Sequence, residues 1–555
     1  MTLALAVSTL ALATPARADD TYYVPVSKHW TIAGHGFGHG HGMSQYGAEG
    51  AARKGQHYRR ILHFYYPHTT LATTGGFIRV LITGDWTSNV IVKARSGLHV
   101  QDLSDGAHWK LPGGSRDRWR LTPAKNGSTK VSFRNSKGWH RWHIPDGRGK
   151  FTGNGQFYAP GPSTLILPSG RGVTYRGKLR SVRPHHGSNK RDTVNVVGLD
   201  NYVKGVVAKE MPASWHQQAL RVQAVAARTY GAWLRAHHRH RYYQACDTTA
   251  CQVYGGVDAE HRSSTNAVKG TAHKILKHSG DPAFSQFSSS SGGWTSAGGK
   301  AYLPAKRDPY DGWSGNPVHS WTLGVSARKL EHAHPGIGRL IDLRVTSRAG
   351  HGQWGGRVQD IVLDGTRGRA HISGADLRHR YGLRSTWVHI RPTPIIRRWH
   401  HIGGASSPIG SPTSGETALA NGSQQRFQHG RIYWSHRTHA RDLRGPVLRK
   451  YRAWGRGGPK SFLDWPRTAV TKAGKHGHGR KAKFQGGQIY WSHSTGARVV
   501  FGAIQRRWWR SHAAGGWMGF PVTNVHKVRG GRRCTFQHAI ITWHRKTDRT
   551  TVKHR

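Results

Sequence analysis

The sequence predicts an α+β fold, mostly β, with one helix carrying the region after its most informative carboxylate and small α+β repeats at the C-terminal end. Three observations support this. Short runs rich in β-branched residues, Phe77–Ile82 and Val90–Val92, are separated by turn formers such as Gly84 and Asn89, the pattern of short strands. The stretch Gln218–Trp233 holds Ala, Leu, Val, Gln and Arg with no Pro and no Gly before Gly231, a composition that favours helix. Beyond residue 415 an aromatic motif occurs three times.

Along the chain, Leu3–Leu12 is apolar and Ala16-Arg17-Ala18 offers a small-residue cleavage site, so residues 1–18 read as a signal peptide despite the missing basic n-region. No other run approaches the roughly 20 apolar residues of a membrane span. The mature chain is therefore expected to be exported, without a span in the bilayer. At 555 residues it has room for two or three domains. Thr193–Val207 reads as a strand by partial alternation, and Val206, Val207 and Ala208 as its apolar end. Met211-Pro212 breaks that run. Ser214 lies three residues before Gln217, the spacing of a capping box that would open the helix. Glu210 thus sits on a turn between an apolar strand and a packed helix, where a raised pKa and proton-transfer work become possible. The plainer reading of a lone Glu is a local cap or ion pair.

The segment EMPASWHQQALRVQAVAARTYGAW, beginning at Glu210, resembles the signature of the SpoIID/LytB family of peptidoglycan-active proteins. Gln218 replaces an acid and Gly231 an Ala of the usual pattern, and the central Glu is kept. GHGHGMSQYGA from Gly38 and its YYPHTTL tail resemble a second family segment, with His68 in place of a Gly. CDTTACQVYGG (Cys246–Gly256), FSSSSGGWT (Phe287–Thr295), DPYD with HSW (Asp308–Trp321) and SGADLRHRYGLRSTWVHI (Ser373–Ile390) complete the likeness. The likeness covers roughly residues 30 to 390, less recognisably between about 95 and 190, so residues 28–390 read as one domain.

The resemblance implies a lytic transglycosylase acting on peptidoglycan glycan strands, with Glu210 as catalytic acid/base. Substrate-contact roles are expected for His39, Ser44 and Gln45 in the glycine-flanked segment, and for Ser289, Ser290 and Gly292, whose hydroxyls and open N–H groups suit N-acetyl or carboxylate groups. Arg228 and Tyr230, on the helix, read as half structural and half substrate-facing. The serines lack a nucleophile-elbow pattern, which removes serine hydrolysis. Asp308 and Asp311 are the only other conspicuous acids in the matched blocks, and that scarcity favours a one-carboxylate scheme over an ordinary two-carboxylate glycosidase. Some relatives are amidase enhancers, so the alternative is a non-catalytic glycan binder with a cell-wall amidase as partner. A third reading makes the chain a wall-binding structural protein and leaves Glu210 unexplained.

Three cysteines fit neither a disulfide scaffold nor a large metal cluster. Cys246 and Cys251 read as a small local disulfide. Zinc is the other possibility, since some family members bind it here with two Cys and two His. His240 lies upstream, but Ala250 stands where a His often precedes the second Cys, leaving too few ligands. No metal and no cofactor are expected, and Cys534 is left over as buried or free.

The formal charge is +58, from 84 Lys and Arg against 26 acids. Nucleic acid is the first partner such excess suggests, yet the basic residues are spread along the chain and no nucleic-acid motif occurs. An exported protein would instead meet anionic wall polymers. Pro392, Pro394 and GGASSPIGSPTSG mark residues 391–415 as a linker. In residues 416–555, Phe427-Gln-His-Gly-Arg-Ile-Tyr-Trp434 recurs as Phe484–Trp491 and, more loosely, as Phe536–Trp543. SPIGSP, FLDWP and GWMGFP precede them, ending at Pro412, Pro466 and Pro521, 54 and 55 residues apart. Each unit reads as a hairpin, then a helix such as Gly502–Arg510, then the Gly-aromatic-Pro turn. These units resemble LGFP repeats, which implies attachment to the cell wall. From Arg391 onward 32 Lys and Arg face four acids, Glu416, Asp442, Asp464 and Asp548, so an anionic surface is the expected contact.

Overall fold

The computed structural model describes residues 17–455 and 457–555. It is 22% helical and 35% strand, a mixed α+β fold that is mostly β. Two compact units emerge: His35–Trp321 with His351–Gln353, and the described residues before His35 with Thr322–Gly350 and Trp354–Arg555. The expected signal peptide lies outside the described residues, except that Arg17 and Ala18 open the strand Arg17–Tyr23.

The first unit holds helices α1 (Gln45–Arg53), α2 (Tyr58–Tyr65), α3 (Leu199–Glu210), α4 (Gln217–His237) and α5 (Arg262–Lys269). Its seven-stranded sheet runs in the order Ala245–Cys246, Phe77–Leu81, Asp192–Gly198, Lys178–Val182, Gly155–Tyr158, His99–Asp102, His108–Lys110. A six-stranded sheet contains Val90–Lys93 between Arg118–Pro123 and Ser163–Ile166. Alternate residues of both sheets, among them Ile78, Val80, Val100, Leu179, Val90, Val92, Trp119 and Leu165, enter one core that also takes in α3 and α4, as period-two strands with one buried face must. Helix α4 buries Ala219, Leu220, Val222 and the run Gln223–Thr229. Gln223, Arg228 and Thr229 are buried with the apolar residues, so the helix runs through the interior.

Two local expectations are corrected. The strand ends at Gly198, and Val206–Ala208 lie in α3. Leu199, Tyr202, Val203, Val206 and Val207 are all buried, and their i, i+3, i+4, i+7, i+8 spacing is a helical stripe that a two-residue Val run conceals. Helix α4 is not opened by a Ser214–Gln217 box. A turn from Pro212 to Trp215 carries the chain past Ser214. His216 is the N-cap, its Nδ1 accepting from the Gln218 N–H at 3.1 Å, while the Gln217 amide donates to the Ser263 carbonyl. A capping box is formed instead further along, by Ser373 and Asp376.

In the second unit, Arg17–Tyr23, Leu340–Arg348, Val358–Gly365 and Arg369–Ser373 form an antiparallel sheet, flanked in sequence by α6 (Arg328–Ala333) and α7 (Gly374–Tyr381). Residues 391–415, expected as a linker, instead contain helix α8 (Pro394–His401), whose Ile395 and Ile396 are buried. Thr322–Gly350 and Trp354–Ile390 group with the repeats, and the division at 391 does not appear as a break between units.

Three four-stranded antiparallel sheets follow, with α9 (Gly445–Ala453) and α10 (Gly502–Trp509) between them. Pro412, Pro466 and Pro521 bridge to Phe427, Phe484 and Phe536 in turn, which gives the recurring prolines a common role. Each helix shares a core with the sheet after it: Ile395 with Phe427 and Ile432, Val447 and Tyr451 with Phe484 and Ile489, Ile504 and Trp508 with Phe536 and Ile541. Helices α9 and α10 thus follow their own hairpins in sequence, as expected, and each is packed between that sheet and the next, with Tyr433 and Leu443 in the core of α9 and Tyr490 and Val500 in that of α10. Tyr433 and Tyr490 reach forward to the next helix, meeting Tyr451 at 5.3 Å and Trp508 at 4.7 Å between ring centres.

Trp508 is fully buried and its Nε1 donates to the Gly519 carbonyl. Trp508→Ala should therefore cost about 3–5 kcal/mol in urea unfolding of the repeats. Trp509, 41% exposed, should change stability by less than about 1 kcal/mol when truncated.

Candidate active site around Glu210

Glu210 is the last residue of α3 and half-buried. Burial pushes its carboxyl above the ordinary range, while the Val253 N–H, donating at 3.2 Å, and the Gln45 side chain oppose the rise. The C-terminal end of a helix adds partial negative charge there and disfavours a carboxylate further. The Val253 donor is held in place by its neighbours. Cys246 and Cys251 are joined by a disulfide with Cα atoms 5.4 Å apart, Gln252 accepts from the Tyr202 hydroxyl, and the Tyr254 hydroxyl donates to Asn195.

Helix α1 supplies the other side. Its N-cap is Ser44, whose Oγ accepts from the Gly47 N–H at 3.0 Å. Gln45 follows, its amide donating to Gln223 Oε1 of α4 at 3.4 Å. Glu49, fully buried, takes the His216 N–H at 2.8 Å on one oxygen and the Arg53 guanidinium at 2.7 Å on the other, fastening α1 to the loop that leaves Glu210. Tyr46 lies against Trp215 at 4.8 Å and Trp313 at 6.3 Å, and the Trp313 indole donates to the Tyr46 carbonyl. These three rings are half-exposed.

Behind this face lies a buried acid network. Asp311 accepts from Ser44 Oγ (2.6 Å), Ser290 Oγ (2.9 Å), the Ser291 and Gly292 N–H groups (3.0 Å each), Asn316 Nδ2 (3.1 Å) and His319 Nδ1 (2.8 Å). Burial alone would raise its pKa, but the donors led by His319 and Ser44 outweigh that and hold it below the ordinary range. The same contact raises His319. Asp308 takes the Tyr65 and Ser291 hydroxyls and the Tyr310 N–H. Burial and the neighbouring Asp311 push it up to about 6. The glycine-rich segment is shaped to fit against this network: Gly36 and Gly42 have positive φ, and a Cβ would fall 2.7 Å from the Ser290 carbonyl oxygen and 2.2 Å from that of Gln286.

The structure gathers Glu210, Ser44 and Gln45 and assigns other roles to several expected contacts. Ser290 and Gly292 turn inward, their hydroxyl and N–H spent on Asp311 rather than open to a ligand. Ser289 is half-buried, and its carbonyl accepts from the Tyr46 N–H. Arg228 is wholly buried, bound to Asp200 at 2.6 Å and to the Lys274 and Val268 carbonyls, so it braces α4 and cannot face substrate. Tyr230 packs on Trp233 and Phe284. His39 is exposed, its Nδ1 accepting from the His41 N–H. Among the described residues no group of three or more His, Cys, Asp or Glu is placed to hold a metal ion. Cys534 is buried and unpaired. Sequence reasoning missed Glu49, for which the i,i+4 partner Arg53 was a cue, and Gln223, for which nothing in the local pattern was.

Comparison with known proteins adds an independent line. A family model described as stage II sporulation protein (SpoIID) matches residues 187–278, and an LGFP repeat model matches residues 409–458 and 465–516. The amidase enhancer of Bacillus subtilis is 41% identical over 136 residues, 23% of this chain and 17% of that protein. Stage II sporulation protein D of Bacillus amyloliquefaciens is 31% identical over 246 residues, 40% of this chain and 68% of that protein. Its Bacillus subtilis counterpart is 28% identical over 243 residues, covering 39% and 67%.

Asp308 gives a pH test. Its folded pKa, about 6, exceeds the ordinary 3.8, so its stabilising contribution is full below pH 4 and is lost as pH rises through 6. Asp311, held low, acts only below this window. Urea midpoints of the wild type should carry a decline on the order of 3 kcal/mol between pH 4 and 7 from this carboxyl, and Asp308→Asn should flatten it.

Proposed function

The chain belongs to the stage II sporulation protein D family, and from that premise we propose that it is an exported lytic transglycosylase of peptidoglycan, kept at the cell wall by its repeats. The observation that carries the chemistry is Glu210, a half-buried carboxyl pushed upward by burial yet steadied by two donors, Val253 N–H and Gln45. Burial favours the protonated, acid form and the two donors favour the carboxylate, the two forms that one group must alternate between to serve as acid and then base.

Glu210 gives its proton to the glycosidic oxygen between N-acetylmuramic acid and N-acetylglucosamine as the C1–O bond breaks. The carboxylate then takes the proton of the muramic C6 hydroxyl, whose oxygen closes onto C1. The product is a 1,6-anhydro sugar, and Glu210 ends protonated as it began. Ordinary glycosidases need a second carboxylate at the sugar. Asp308 and Asp311 are poor candidates for it, being almost fully buried and engaged by internal donors, and Glu49 is buried and paired with Arg53. This supports a one-carboxylate scheme. Tyr46, Trp215 and Trp313 offer apolar faces suited to sugar rings.

The likeness to an amidase enhancer favours a second reading, in which the same face binds glycan and presents it to a wall amidase without cutting it. The two differ in products. Under the first, purified protein releases anhydromuropeptides, detectable by mass, and Glu210→Gln lowers the rate by about a hundredfold or more with its melting curve unchanged. A variant that cleaves as fast as the wild type would remove Glu210 from the mechanism. No anhydro sugar from the wild type, together with faster release by an added amidase, would establish the enhancer.

The repeats, with 32 basic residues against four acids from Arg391 onward, are the proposed contact with anionic wall polymers. Retention on isolated walls should fall as NaCl is raised from 0.05 to 0.5 M, since screening shortens the reach of exposed charge about threefold over that range.

A further inference from the structure

The second repeat and α10 line an open polar cavity of about 530 Å³ that the wall-anchoring reading does not by itself explain. That volume lies within the range of small-ligand sites. Arg467, Lys483 and Arg506 line it, and no acidic side chain does. Helix α10 contributes Gly502, Gln505, Arg506 and Trp509, spaced i, i+3, i+4, i+7 and so on one face. Phe501, its N-cap residue, has no side chain able to cap it, which leaves the helix start without a capping acceptor of its own.

Two features point to a sugar rather than a bare ion. Trp509 is 41% exposed, with Lys483 Nζ 5.3 Å from its ring centre, and its Nε1 donates to the Tyr490 hydroxyl at 3.4 Å. That bond sets the ring as a flat wall. Gln488 is 2% exposed and its Oε1 has no hydrogen-bond partner, although buried acceptors are normally satisfied. The arrangement is confined to one repeat. The first repeat has Leu448, Arg452 and Arg431 in place of Gln505, Trp509 and Gln488, and the third has Ile540 in place of Gln488.

We propose that this cavity binds a single anionic sugar unit of a wall polymer, its charged group between Arg467, Lys483 and Arg506 and its ring against Trp509. The inference rests on the reading of the repeats as wall anchors and adds a defined site to it. The shared chemistry is a sugar bearing an anion, either a phosphate or a carboxylate.

Calorimetric titration of the full chain at 0.15 M NaCl with N-acetylglucosamine 1-phosphate, N-acetylmuramic acid and neutral N-acetylglucosamine tests it. At least one anionic sugar should bind about tenfold or more tightly than the neutral one. Trp509→Ala and Arg506→Gln should each weaken that binding about tenfold, with melting curves unchanged. Preference for the phosphate would identify a phosphodiester polymer, and preference for the carboxylate a muramic or uronic one; either supports the site. Equal binding of the neutral sugar, or affinities indifferent to Trp509→Ala, would overturn it. Salt-dependent retention on walls without binding of either anionic sugar would sink the site and leave anchoring intact. Sugar binding lost on Trp509→Ala in a chain that walls do not retain would do the reverse.

Discussion

A single buried carboxylate, Asp311, organises the face on which Glu210 lies. Six donors converge on it from three stretches of chain: Ser44, the Ser290–Gly292 turn, and Asn316 with His319. A charge removed from water is tolerated only when so fully paired. Its neutral donors and one histidine therefore weld segments far apart in sequence. Ser44 is also the N-cap of α1, so the weld fixes where α1 begins and hence where Gln45 meets Glu210. Asp308 beside it is pushed upward first by its burial and then by the neighbouring Asp311 charge.

This arrangement separates two kinds of polar residue that look alike in sequence. Ser44, Ser290 and Gly292 lie in segments expected to touch substrate, but their hydrogen-bonding capacity is consumed internally. Gln45, next to them, is the one whose amide is turned toward the catalytic candidate. The serine cluster thus shapes the site from behind, buried Gln45 supports Glu210, and the accessible chemistry falls to Glu210 and the ring group of Tyr46, Trp215 and Trp313.

Much of the architecture was legible because it rests on periodicity. The strands at Phe77 and Val90, helix α4 and the three aromatic repeats follow from patterns that repeat over several residues or several units. The misses arose where a decision rests on a distant partner. Val206 and Val207 read as strand because two β-branched residues carry no period, whereas Leu199 to Val207 taken together do. Ser214 had the right spacing for a cap, but the Pro212 turn carried the helix start two residues further, and Gln217 found Ser263. Arg228 could not be told from a ligand-facing arginine until Asp200 was seen beside it. The role of Asp311 depends on donors more than 260 positions apart in number, from Ser44 to His319, and no local pattern encodes that.

The packing of α9 and α10 between two successive sheets has a mechanical side. Tyr433 and Tyr490 each insert forward among the rings of the next unit. Drawing two successive sheets apart must extract a ring from a close-packed neighbour, and van der Waals contact is lost over a whole aromatic face at once. A fastening built in this way resists steady pulling better than three beads on a flexible string, a useful property for a chain proposed to grip a stressed, growing surface.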